Sequence, residues 1–302
     1  MKTRWDLKRI WMAEIDGLPL RLFEILFTLT FLWRFISKLF FWEEWLTEAG
    51  FHLTSGEQWS MGYPLPYPLL SPWMVPVLAL ITLGGGLMVI FFRWRRLGLI
   101  LCFLTATYTG GVDYLSASSQ ERIYVVIYAL LATGPGLRRA AAGGYIVASA
   151  MPRVLQVTLV LIYFVAGYSK CYPGDWLKYS DVVYTHVQGF HRTDLAAWMI
   201  RTLPVWCWTV IQGATILFEV FAPVWFYWKR TRLLAIVYGF QMHLGIALLM
   251  KGLIFFSAQM LTLYSLFLTG DEWRRIGAWI LGWSRPPTAT SEISDREGGT
   301  PR

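Results

Sequence analysis

Charge is what this sequence has least of. Only 15% of its 302 residues are Asp, Glu, Lys or Arg, where a soluble domain carries about a quarter. So few polar side chains cannot cover a water-facing surface, which excludes an ordinary soluble domain. Cysteine is also scarce. Cys102, Cys171 and Cys207 form no CxxC pair, and no cluster has metal-ligand spacing, so no metal site is expected. Cys171 and Cys207 both fall at span ends expected near the outer surface, which leaves a disulfide open; the odd count favours plain thiols. Phosphate-cradling and dinucleotide-binding glycine motifs are missing. The net charge is +8, yet the basic residues lie in short clusters between apolar runs. No basic domain exists to hold DNA or RNA, so no nucleic-acid partner is expected. No short apolar core with a small-residue cleavage site follows MKTRWDLKRIWMAEID, so no cleaved signal peptide is expected.

Apolar and aromatic residues fill the space. The chain is 56% hydrophobic and 17% aromatic, with a mean hydropathy of +0.45. At about 20 residues per crossing, the apolar runs predict eight spans, near 18–42, 69–92, 97–112, 122–137, 153–171, 204–228, 233–250 and 252–269. The third and fourth are short for a full crossing. The expected fold is an all-α, polytopic membrane helix bundle, with the lipid bilayer as its first partner. Residues 1–17 form a cytoplasmic segment, 18–275 the membrane domain, and 276–302 a cytoplasmic, largely disordered tail rich in Pro, Ser, Thr and Gly.

Basic residues set the orientation. Lys2, Arg4, Lys8 and Arg9 precede the first span. Arg93, Arg95 and Arg96 follow the second, Arg138 and Arg139 the fourth, Lys229, Arg230 and Arg232 the sixth, and Arg274 and Arg275 the eighth. The alternate links hold only Lys178, Arg192, Arg201 and Lys251, and the first of them has Glu43, Glu44, Glu48 and Glu57 instead. Both termini are therefore expected inside. Residues 172–203 are too polar to span and too aromatic for a loose loop. They read as short amphipathic helices on the outer face.

A charge within a span costs roughly 2.5–3.5 kcal/mol at the centre, so each needs a partner or a role. Arg21 and Glu24 are three apart and can pair. Arg34 and Lys38 share a face; they either snorkel to the headgroups or line a cavity. Gln156, Tyr163 and Lys170 repeat at seven, on one helical stripe. Gln212 and Glu219 repeat likewise, with Glu219 read as past the middle toward the cytoplasm and as either protonated or paired with a cation such as Arg21. His243 reads near mid-membrane, and Gln259 lies in the last span. These residues either bond neighbouring helices together or line one polar cavity opening outward at Lys170, Arg34 and Lys38. At its mouth, a lysine that gives up its proton is a usable base.

The stretch LQVTLVLIYFVAGYSKCYPGDW, with the later FEVFAPVWF and FQMHLGIALLMKGLIFFSAQML, resembles the HTTM (horizontally transferred transmembrane) family, which includes vitamin K-dependent gamma-glutamyl carboxylase. The likeness runs over about residues 15–275. It implies that Lys170 matches the lysine that deprotonates vitamin K hydroquinone, with His243 and Glu219 beside it. Tyr163, Arg34, Lys38, Gln212 and Gln259 then line the cavity for a lipid quinone. It implies a multi-pass protein of the bacterial inner (plasma) membrane, with a secreted peptide or lipid-like small molecule as partner. The family enzyme's Asn-His pair has no counterpart in YLSASSQERIY, and its large substrate-binding domain has none after the last span. Propeptide-directed carboxylation is therefore not implied. A non-enzymatic interaction, immunity or transport-accessory protein is the other reading.

Overall fold

The computed structural model describes residues 11–52, 67–112, 118–141 and 143–281. Lys2, Arg4, Lys8 and Arg9, most of the first expected outer link, and the expected disordered tail from 286 lie outside the described residues.

The protein is mostly helical. Strand β1 (Glu14–Asp16) leads into α1 (Leu18–Leu39), whose Pro19 occupies a first-turn position where no backbone donor is needed. A short α2 (Trp42–Leu46) precedes the break. Then come α3 (Val75–Ile90), α4 (Arg95–Gly111) and α5 (Ser119–Thr133). At the head of α5, Ser118 and Glu121 form a reciprocal capping box. Strands β2 (Arg138–Arg139) and β3 (Tyr145–Ala148) lead to α6 (Ala150–Cys171). Beyond it lie α7 (Val182–Val187), α8 (Asp194–Thr202), α9 (Val205–Val220), α10 (Ala222–Tyr227), α11 (Arg232–Leu249), α12 (Ile254–Tyr264) and α13 (Gly270–Leu281).

The all-helical expectation is corrected by a small antiparallel sheet in the order β1-β3-β2, pairing Ile15 with Val147 and Arg139 with Tyr145. Its hairpin turns through Gly143 and Gly144, at φ +90° and +81°, where only glycine is comfortable. The Gly-Gly pair before an apolar YIVA is a hairpin signal, and it is legible in the sequence.

Among the described residues, length and composition give three helices able to cross a membrane: Pro72–Ile90, Ala150–Cys171 and Arg232–Leu249. A fourth is counted if α8 and α9, bent by 116° at Leu203–Pro204, are one broken span. The expected eight do not emerge from these criteria. Helix α1 is 22 residues long but carries Arg21, Glu24, Arg34 and Lys38. Helices α4, α5 and α9 have 17, 15 and 16 residues. The expected 204–228 span breaks at Phe221, because Pro223 has no N–H to continue the α9 ladder. The long helices turn apolar side chains outward, Leu80 and Leu87 from α3, Leu161 and Val165 from α6, and Leu233 and Leu234 from α11. A water-facing helix would have its polar face there.

The main core is aromatic. Phe23, Phe27 and Phe31 of α1 are buried against Tyr124 and Tyr128 of α5, with Phe27–Tyr124 and Phe31–Tyr124 centroids 5.1 Å apart. Such contacts hold helices together by shape even where lipid removes the hydrophobic advantage of burial.

Candidate functional site

The stripe of α6 points Tyr163 and Lys170 at α9. Gly167 lies between them on the same surface. A Cβ on Gly167 would come within 2.8 Å of Glu219 Cβ and Val220 N. Only a bare backbone lets α9 approach this closely, and the approach brings Glu219 to Lys170. Lys170 Nζ donates to Glu219 Oε2. The Lys170 side chain keeps 22% of its exposure and Glu219 only 9%, so one edge of the pair reaches the surface. The ammonium also lies 5.1 Å from the Trp176 ring centroid, a cation–π distance.

Glu219 is paired with a cation, one of the two states expected of it, and the cation is Lys170. The pairing sets Glu219 level with the end of α6. The first turns of α9 pack into a cap made by α7 and α8, where Trp208 is buried with Val187 and Ala196. Gln212 belongs to that cap. Its Nε2 donates to the carbonyls of Trp176 (2.7 Å) and Tyr179 (2.6 Å), and its Oε1 accepts from Val183 N–H at 3.2 Å. The short helices expected within 172–203 are present as α7 and α8.

Beneath the ion pair runs a buried hydrogen-bonded chain. The Tyr163 hydroxyl is 2.7 Å from His243 Nε2 and in contact with the Tyr264 hydroxyl. All three side chains are buried. Phe218 and Phe226 wall the Tyr163 ring, at centroid distances of 5.2 and 6.1 Å. A chain in which Tyr264 donates to Tyr163, and Tyr163 to Nε2, leaves the Nδ1–H of His243 without a hydrogen-bond partner among the described residues. Tyr264 is absent from the sequence-derived site. It lies seven residues after Ser257, on the same stripe of the last apolar run, and that spacing was its available signal.

The other expected cavity residues form separate clusters. Arg34 and Lys38 both engage Glu121, at 3.2 and 3.0 Å, so their counter-charge is Glu121, as Glu219 is for Lys170. Glu121, absent from the sequence-derived site, reaches them from the capped head of α5. Gln259 Nε2 donates to the Gln120 carbonyl at 3.0 Å, and Gln156 Nε2 to the Leu266 carbonyl at 2.6 Å. Arg21 does meet Glu24, at 3.8 Å, but the closer partner of Glu24 is Arg95, whose Nε donates to it at 2.8 Å. Cys102, Cys171 and Cys207 are free thiols. Among the described residues no group of three or more His, Cys, Asp or Glu side chains is placed to hold a metal. No protein-family model, curated protein or solved structure matches the chain.

Proposed function

We propose that the chain is an integral membrane protein that handles protons for a lipid-soluble substrate of the hydroquinone class, with Lys170 as general base. The observation carrying this reading is the Lys170–Glu219 pair, set at the edge of the bundle above the Tyr163–His243–Tyr264 chain. One proton shift across the Lys170–Glu219 hydrogen bond turns the ion pair into a neutral amine beside a neutral carboxyl group. The neutral amine is the base; it takes the proton of a substrate hydroxyl within hydrogen-bond reach. Tyr163 and His243 hold the floor of the site in one geometry. The likeness of VAGYSKCYPGDW and its neighbours to the HTTM family supports the quinone or lipid class of substrate.

The same ion pair favours a second reading. It ties α6 to α9 with compensated charge, which an interaction, immunity or transport-accessory protein needs as much as an enzyme does. Lys170→Arg separates the two. Arginine pairs with Glu219 as well as lysine does, but it does not give up its proton. Lys170→Arg and Lys170→Ala are both expected to insert at wild-type level. Both should lose roughly 10²-fold or more in turnover of whatever quinol mass spectrometry finds co-purified with the wild type. A fully active Lys170→Arg would end the general-base reading and leave the accessory reading standing.

The proposed arrangement has eight spans, both termini in the cytoplasm and α7–α8 on the outer face of a bacterial inner membrane. It rests on the distribution of basic residues. A cysteine at Ser55 should label from outside intact cells, and one at Thr290 only after lysis, in a background free of Cys102, Cys171 and Cys207. External labelling at Thr290 would overturn the topology.

A further inference from the structure

At the opposite end of the bundle from Lys170, the α3–α4 turn, the α5–β2 connection and strand β1 line a cavity of about 630 Å³ that is open to the surface. Its walls include Glu14, Phe92, Arg95, Arg96, Gly136 and Arg138. A shallow surface hollow of about 460 Å³ shares Arg95 and Arg96 and adds Trp94 and Leu97.

The arginines are held in place with donors to spare. Arg95 gives Nε and Nη2 to Glu24. Its remaining Nη1 faces Gly136, 3.2 Å from where a Cβ would stand. Arg96 is oriented by the carbonyls of Ala132 (3.1 Å) and Thr133 (3.5 Å) at the end of α5. A guanidinium carries five N–H donors, so each fork keeps donors beyond these anchors. Arg138 is steadied by Glu14. Counting Glu14 and Glu24 against Arg21, Arg95, Arg96 and Arg138, positive charge is in excess.

The turn that builds this wall is strained. Phe92 and Trp94 have φ of +61° and +53°, a region costly for residues with a Cβ. The two residues go opposite ways. Phe92 packs under the Arg21 and Arg139 guanidiniums, 5.1 and 5.6 Å from its centroid. Trp94 is thrown outward and left exposed. Leu87 of α3, Phe91 at its end, and Leu97 and Leu104 of α4 are exposed apolar side chains as well, and α3 is within one of the membrane-competent helices.

A cationic pocket at the end of a membrane-competent helix, with an exposed tryptophan and these exposed apolar side chains, fits one molecule with an anionic head and apolar tails. We propose that the Arg95–Arg96–Arg138 cavity binds the phosphate of an anionic phospholipid, whose acyl chains lie along the exposed faces of α3 and α4. A soluble anion uses the arginines but not the apolar side chains. A basic pocket between helices at a cytoplasmic leaflet is a general means of holding such headgroups.

The test uses the full chain in phosphatidylcholine nanodiscs with a minor fraction of phosphatidylglycerol, followed by native mass spectrometry of the retained lipid. The wild type is expected to retain phosphatidylglycerol preferentially. Arg96→Gln and Arg138→Gln should each weaken retention roughly fivefold. Gly136→Val should weaken it too, by filling the cradle with no change in charge, while Lys251→Gln should leave it unchanged. Thermal melting identifies any variant that fails to fold, and the remaining variants then decide. Equal retention by wild type and Gly136→Val, or equal loss in Lys251→Gln and Arg96→Gln, would overturn the site. Full displacement of the lipid by millimolar inorganic phosphate would overturn the lipid reading in favour of a free-anion site.

Discussion

Replacing Glu24 with leucine is expected to destabilise the protein by about 3–5 kcal/mol, among the largest effects of any single substitution. The Glu24 side chain is fully buried, and it receives both Nε and Nη2 of Arg95. Arg21 lies 3.8 Å away and is itself tied to the Val89 carbonyl at 2.7 Å and to the Ile90 carbonyl. Both guanidiniums are almost wholly buried. Neither relieves its charge by losing a proton. With leucine at position 24, two cations stay in the bundle, and among the described residues Arg21 is left facing the Val89 and Ile90 carbonyls and the rings of Phe92 and Tyr145. Glu24→Gln keeps the shape and one acceptor, so it should fall between leucine and wild type. Thermal unfolding in detergent measures both. A Glu24→Leu protein that melts with the wild type would mean that the carboxylate carries no counter-charge. The same variant should also loosen Arg95 in the proposed lipid site, since Glu24 is what aims it.

How far the sequence announced this structure depends on the range of the interaction. Local signals read well. The apolar run from Leu18, the proline at its head and the seven-residue stripe of α6 all follow from helical periodicity, and the structure has them. Pair partners read poorly. The sequence placed Arg21 near Glu24, three residues away, but it held no sign of Arg95, 71 residues away. It grouped Arg34 and Lys38 with Lys170 because all three were cations near span ends. The structure gives the first two to Glu121. Periodicity fixes which face of a helix a residue occupies, and it says nothing about which helix comes next to that face. The neighbour of Glu219 was hidden for a related reason. Nothing in the run after Pro204 shows that the first turns of α9 pack into the α7–α8 cap, which sets Glu219 beside Lys170. Of the residues singled out as a site, Lys170, Glu219, Tyr163 and His243 come together, joined by Tyr264. Gln212, Gln259, Arg34 and Lys38 take part in other contacts.

Glu219→Leu is expected to cost about 2–3 kcal/mol, less than a fully buried pair because Lys170 keeps 22% of its side-chain exposure and some hydration. Glu43→Leu, on the exposed first turn of α2, should stay within about 0.5 kcal/mol of wild type. The cost of Glu219→Leu comes from stranding Lys170, not from losing an attraction, and that origin has a signature. Lys170→Met removes the ammonium. Combined with Glu219→Leu, it should restore most of the lost stability, since an apolar pair of similar volume at such a site is often neutral. The double variant should therefore melt near the wild type and far above Glu219→Leu. It also isolates function from folding. A stable double variant that has lost quinol turnover would assign the Lys170–Glu219 pair to chemistry. If the double variant melts as low as Glu219→Leu alone, the two side chains are not coupled, and the proton shift between them has no basis. If it is stable and fully active, the pair is a structural tie between α6 and α9, and the accessory reading takes its place.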